Sequence, residues 1–379
     1  MVSKIQRGLP PKILTLTSSR VHFMGLDSTS IDKTVVLPQS LAGARTARDL
    51  AATLNAGFTS VRELAGYGVF ISKAVDEGWI PGPTIYSSYS IISMTGGHGD
   101  LHSYPWELVR CKAQDQGIPM CVVDGVDECI RAVRQQIRNG AKVIKICATG
   151  GVLSLIDDPE YTEFSPAEIR AMVEEAARAD RIVAAHCHGK RGIMNALHAG
   201  VKTIEHGSYL DDEAIELMKE KGAMLVATRT IVEYGSSHLD QLPDKPRRKM
   251  QHISDAHRVA WAKAIKSGVK NALGTDLGFS LREVDHQHGM NGREFAFAVK
   301  AGMTPLEAIE AGTASAPATL GPQAPKSGQL KEGYDADFIA VSENPIDDIK
   351  ILAEPSKITH VWKRGVLYKG PDKPVNILM

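Results

Sequence analysis

The 379-residue chain lacks the features that mark a protein for a membrane, a nucleic acid or an oxidising compartment. Its 44 lysines and arginines balance its 44 aspartates and glutamates, so the formal net charge is zero. That balance gives no electrostatic reason to expect nucleic acid or an anionic membrane as partner. No stretch reaches the roughly 18 apolar residues that a membrane-spanning helix needs. The opening Met1-Val2-Ser3-Lys4-Ile5-Gln6-Arg7 carries charge but no apolar run, so a secretory signal is not expected. Cysteine is scarce: Cys111, Cys121, Cys129, Cys147 and Cys187 are odd in number, scattered, and form no C-x-x-C pair. This argues against a disulfide framework or a thiolate zinc site and for a reducing, cytoplasmic setting. Internal repeats and low-complexity segments are absent. So is a G-x-G-x-x-G after the first strand, which weighs against a dinucleotide-binding fold.

What is present is alternation. Strands are expected over 12–17, 59–63, 84–88, 141–147, 181–186, 201–206, 223–228 and 269–276. Helices are expected between them at 41–56, 69–77, 126–139, 190–199, 211–221 and 254–267, then at 292–301 and 305–312. A further helix opens with the capping box Ser165-Pro166-Ala167-Glu168, and the last one with Thr304-Pro305-x-Glu307. Residues 93–124 read as a long loop and 233–252 as a polar segment. Eight strands alternating with helices predict an α/β chain folded as a (β/α)8 TIM barrel over 12–318, behind a short remnant at 1–11. A doubly wound open sheet is the alternative. Residues 319–379 differ: a turn-rich stretch precedes alternating runs at 338–341, 358–362 and 365–368, a small β-sandwich segment that looks incomplete.

In such a barrel the chemistry sits where strands end at the C-terminal face. Lys145 lies inside the apolar run Ala141 to Cys147, where an amine must be neutralised, paired or modified, or else snorkel to a rim. His186, His206 and Asp276 close three other strands. Two imidazoles suit a divalent transition metal such as zinc, and a carboxylate can accept a proton from bound water. A desolvated lysine becomes a ligand by taking up CO2 as a carbamate. Singly, each has a plain structural reading: His186 and His206 as satisfied core histidines, Asp276 as a turn cap. Four such residues at four strand ends favour a metal site.

At this point the sequence resembles the amidohydrolase superfamily of metal-dependent hydrolases over nearly its whole length. The resemblance rests on Val143-Ile144-Lys145, His186-Cys187-His188-Gly189, Ile204-Glu205-His206-Gly207, Gly274-Thr275-Asp276 and, in the tail, Gly333-x-Asp335-Ala336-Asp337 with Asn344-Pro345. Thr149-Gly150-Gly151-Val152-Leu153-Ser154 and Thr228-Arg229 resemble its imidazolonepropionase-like dipeptidase and carboxypeptidase branch. The resemblance implies one or two divalent metals per chain, a carbamate on Lys145 as bridge, His186 and His206 on one metal, and Asp276 on the other. It also implies amide hydrolysis by a metal-bound hydroxide with Asp276 as general base and acid. His98, His188 and Arg229 are candidates for polarising the carbonyl or gripping a substrate carboxylate, Arg229 because its planar fork can donate two hydrogen bonds. His288 with Glu294 matches a pattern after strand eight. The implied partner is a small molecule bearing a carboxylate, with homo-oligomers usual among relatives.

The first strand departs from the pattern. The family's Asp-x-His-x-His corresponds to Ser18-Ser19-Arg20-Val21-His22: His22 remains as a ligand, but Arg20 stands where a histidine belongs, and guanidinium has no lone pair to donate. The family's longer N-terminal part, which supplies strands to the small β-unit, is also not seen. Two readings compete. One is a shortened form of an active enzyme. The other is a non-catalytic or weakly active paralogue that binds a ligand or partner at the barrel mouth.

Overall fold

The computed structural model describes residues 13–115, 117–281, 286–373 and 375, so the remnant expected at 1–11 lies outside the described residues. Strands β1 to β15 span Ile13–Leu14, Leu16–Leu26, Phe58–Glu63, Thr84–Ser87, Ile91–Ser93, Met120–Val122, Ile144–Cys147, Val183–Cys187, Thr203–His206, Met224–Val226, Lys270–Asn271, Leu277–Phe279, Phe338–Val341, Ile358–Lys363 and Val366–Lys369. Two sheets are wholly parallel, in the orders β12-β2-β3-β4 and β11-β10-β9-β8-β7-β5-β6. The chain is therefore an α/β fold of parallel strands with helices between them, as the alternation predicted. The third strand is split. β4 pairs with β3, the chain breaks at Tyr89 (φ +70°), and β5 then pairs with β7.

Backbone hydrogen bonds link the two sheets at both sides. Lys142 N donates to Ser87 O at 2.8 Å; opposite, Ser19 N donates to Leu273 O at 2.8 Å. Alternation along each strand then sorts the side chains. Ile144, Ile146, Val183, Ala185 and Ile204 pack outward with Ile169, Met172, Ile193 and Leu197 of the covering helices. Lys145 and His186 fall on the other face.

The helices start and stop where their sequences say. α1 spans Gln39–Asn55, α2 Gly68–Asp76, α3 Trp106–Asp115, α4 Val126–Arg138, α5 Pro166–Ala177, α6 Lys190–Ala199 and α7 Asp212–Lys221. In α5, Glu168 N donates to Ser165 Oγ while Ser165 N donates to Glu168 Oε2, a reciprocal cap. α7 is capped by Asp211 and ends on Gly222 in the left-handed region. Two stretches differ from expectation. The loop at 93–124 contains α3 and β6, and the polar segment at 233–252 is largely helical, with α8 at Arg229–Ser237 and α9 at Asp244–Lys266. The buried face of α9 includes Lys249 and His257 beside Met250, Ile253 and Trp261. Lys249 Nζ donates to the carbonyls of Gly151, Ser154 and Asp157 at 2.6, 2.7 and 3.0 Å, so a polar-looking stretch is buried through hydrogen bonds. α10 (Arg293–Lys300) and α11 (Pro305–Ala311) close the series.

The tail forms an antiparallel sheet β1-β13-β14-β15, in which Ile13 pairs with Ala340 and Leu14 with Ile339. The first expected strand is thus divided at Thr15, its opening residues joining the tail rather than the parallel sheet.

Candidate active site

The inner ends of the parallel strands converge on one polar floor. Lys145 of β7 is fully buried, and its Nζ has no hydrogen-bond partner. Burial, and then the nearby Arg20, push its amine down to about 7.

On the next strands, His206 Nε2 lies 3.0 Å from His186 Nδ1. The outer nitrogens fix both tautomers. His186 Nε2 faces Gly150 O at 3.1 Å, and a carbonyl only accepts, so that nitrogen carries the proton. His206 Nδ1 faces Thr228 Oγ1 at 2.7 Å, whose own proton is directed to Ala227 O at 2.6 Å, so Nδ1 donates there too. The two facing nitrogens are then both lone pairs. Burial holds the His186, His188 and His206 rings well below the usual imidazole range, which keeps them neutral. Two lone pairs this close repel unless a cation lies against both, so this pair fits a divalent metal. Among the described residues, ligand atoms of His186, His188 and His206 all lie within 4.8 Å of one another. His188 is oriented by Ser208 Oγ at 2.7 Å. His206 itself sits at φ +72°, which lets Glu205 and His206, adjacent in one strand, both face inward.

The other half of the floor is ionic. Asp276 (φ +60°) receives Arg20 Nε on Oδ1 at 2.6 Å, and His22 Nε2 lies 2.9 Å from the same oxygen. Burial opposes the Asp276 charge, but Arg20 and then His22 more than reverse this and hold the carboxyl below its usual range. His22 Nδ1 donates to Ala65 O at 3.0 Å. Arg20 Nη1 stands 3.6 Å from Glu205 Oε2 without a hydrogen bond. Glu205 is clamped by Arg62, whose Nη2 meets its two oxygens at 2.9 and 3.0 Å. A guanidinium cannot bind a metal, so Arg20 does not fit as a ligand.

Above the floor is a cavity of about 130 Å³, lined below by Arg20, His22, His98, His186, His188, His206 and Asp276. Its walls are apolar, with Met24, Met120, Val152, Ile231 and Phe279 among them. His98 stacks on His186 with ring centroids 4.5 Å apart and is held by Asp157 Oδ2 at 3.1 Å. Of the residues named from sequence, Lys145 is buried without lining this cavity, and Arg229 is not brought to it. The Arg229 Nε pairs with Glu233 at 2.8 Å and its Nη1 donates to Ser254 O at 2.7 Å. Glu294 accepts the backbone N–H groups of Arg229 and Thr230, and His288 stacks on Phe23. Arg62, Glu205 and Asp157 were not anticipated; for Arg62 and Glu205 the available signal was a charged residue inside an apolar strand, as in Thr203-Ile204-Glu205-His206.

A parallel α/β scaffold that gathers histidines, a buried lysine and an aspartate on one floor suits a hydrolase, and its family and relatives make it one acting on carbon–nitrogen bonds. The sequence matches the amidohydrolase family over residues 14–368, and the chain belongs to that family. It is 48% identical over 368 residues to the ochratoxinase of Aspergillus niger, covering 94% of this chain and 75% of that protein. The crystal structure of A. niger ochratoxinase is similar with a TM-score of 0.88 and 47% identity, over 95% of this chain and 84% of that one. A prolidase crystallised with N-methylphosphonate-L-proline is similar at 32% identity and a TM-score of 0.86, over 94% and 87% of the two chains. Among the described residues no helix is long and apolar enough to cross a membrane.

Proposed function

We propose that the two parallel sheets are arcs of one closed (β/α)8 barrel, and that the chain hydrolyses an amide or peptide bond of a small carboxylate-bearing substrate at its C-terminal mouth. The substrate class is a dipeptide or N-acyl amino acid, and an ochratoxin-type amide falls within it. The observation that carries this reading is the facing pair of lone pairs on His186 and His206, 3.0 Å apart, with a buried, unpartnered Lys145 near enough for its charge to act on both rings.

His186 and His206, with His188 alongside and Lys145 as its CO2-derived carbamate, would hold a divalent cation, zinc being a good match to imidazole. Such an ion supplies a Lewis acid for the carbonyl and lowers the pKa of water. The chain's own groups do the rest. Asp276, kept ionised by Arg20, accepts a proton at its carboxylate and returns it to the departing amine. His22 orients that carboxylate, and the apolar walls exclude bulk water, which strengthens each charge interaction inside. The short Arg20–Asp276 contact of 2.6 Å also supports a second reading, a weakly active or non-catalytic binder, because it occupies the oxygen that would take the proton.

The test is amine release from a panel of dipeptides and N-acyl amino acids by zinc-loaded protein, with chelated protein as control. No release from any member would end the hydrolytic assignment and leave the second reading.

A further inference from the structure

We propose that Arg20 stands in for a second cation: the floor binds one divalent ion, on the His186–His206 side, and the Arg20 guanidinium is the permanent positive charge on the Asp276 side. This rests on the metal reading above.

Three observations carry it. On the Asp276 side the groups that could ligate, Asp276 Oδ1 and His22 Nε2, already face each other at 2.9 Å, and Oδ1 is occupied by Arg20 Nε at 2.6 Å. An ion binding there would have to break a short, charge-assisted hydrogen bond. Next, Arg20 is buried on a fixed backbone. It is 2% exposed, and its backbone packs so closely on Gly274 that a Cβ added to that glycine would lie 2.7 Å from Arg20 N and Cβ. Its Nη1 stays buried without a hydrogen-bond partner, 3.6 Å from Glu205 Oε2.

Third, the carboxylates of the floor are already answered. Arg62 answers Glu205 and Arg20 answers Asp276, while the nearby Asp157 is engaged by His98 and by Lys249, 3.9 Å away. One divalent ion among the neutral histidines adds charge where lone pairs await it. A second would face a guanidinium in a buried setting with no free carboxylate to answer it.

The experiment is metal counting on whole protein loaded with Mn(II), by elemental analysis and electron paramagnetic resonance. About one ion per chain with the hyperfine pattern of an isolated Mn(II) is expected, rising to about two with a spin-coupled spectrum in Arg20→His, as imidazole is a ligand and guanidinium is not. Two coupled ions in the unaltered protein would overturn the proposal, as would none. A folded Arg20→His variant that still holds one ion would also overturn it. Should that variant not fold, the spectrum of the unaltered protein decides alone. Two ions with amide hydrolysis would sink this inference and keep the hydrolytic assignment; one ion without hydrolysis would do the reverse.

Discussion

Arg20 and Asp276 meet at 2.6 Å, although 256 residues separate them in the chain. Backbone hydrogen bonds set up the meeting, since Thr275 N and Asp276 N both donate to Arg20 O, at 3.0 and 3.2 Å. The middle of β2 and the residues just before β12 are thus sewn together at the residue pair that sets the charge of the floor. Asp276 is a strong candidate for the proton carrier because Arg20 keeps it ionised. The same contact restrains it, so its reactivity depends on how the guanidinium shares Oδ1 with His22.

Replacing Asp276 by asparagine tests that role. Asp276→Asn keeps the shape and the contact with His22 but removes the proton acceptor. The expected result is a fall in kcat of about 10²–10⁴-fold, the usual share of general acid–base catalysis, with the circular dichroism spectrum unchanged. Turnover within a few fold of the unaltered protein would remove Asp276 from the chemistry.

Much of this arrangement is legible in the sequence. Lys145, His186, His206 and Asp276 stand out because a ligand or charge at the end of an apolar run is costly to bury without purpose. The helices with capping boxes announce themselves, and both boxes form. Three things are not legible, each for a physical reason. α8 and the first part of α9 hide because their buried faces carry polar groups satisfied by distant carbonyls, as with Lys249 Nζ on Gly151 O at 2.6 Å. The Arg62–Glu205 clamp spans 143 residues, and no local pattern encodes such a pairing. The direction of Arg229 depends on Thr228, whose left-handed φ of +58° at the start of α8 redirects the chain.

Arg62 supports the floor from below, and its loss is expected to cost stability first. It is fully buried and donates to Glu205, to Thr203 Oγ1 at 3.1 Å and to the Ser19 carbonyl. Arg62→Met would leave Glu205 as a buried carboxylate with only the Thr203 hydroxyl at 2.7 Å and the more distant Lys145 and Arg20 to answer it. A loss of about 3–5 kcal/mol is expected in urea unfolding, the range for breaking a buried ion pair on one side. Arg62→Lys should recover little, because an ammonium cannot reproduce the planar fork. A loss under about 1 kcal/mol would mean that Glu205 is neutral in the fold.

Arg229 separates sequence expectation from structure. As a carboxylate clamp it should raise KM when removed; tied to Glu233 and Ser254, it should affect stability instead. Arg229→Ala is expected to lower stability by about 1–3 kcal/mol, as buried acceptors lose a charged donor, and to leave KM for a carboxylate-bearing substrate within about twofold. A tenfold rise in KM at unchanged stability would restore the clamp.

Glu163 gives the chain a pH dependence with a definite sign. Burial pushes its carboxyl up from 4.5 to about 8, and hydrogen bonds from His98 N at 2.6 Å and Ser93 Oγ at 2.7 Å only partly oppose this. Between those values the folded chain holds a proton that the unfolded chain has released. The stability that the neutral carboxyl contributes is therefore fully present below pH 4.5 and is lost as pH rises through about 8. The slope is at most about 1.4 kcal/mol per pH unit. Glu163→Gln has no proton to lose. Relative to that variant, the protein should be most stable near pH 5 and lose ground steadily toward pH 8. Urea unfolding of both proteins, chelated so that metal binding adds no pH dependence of its own, reads this difference directly. A flat difference across the window would mean that the two donors to Glu163 outweigh its burial and that it folds as a carboxylate.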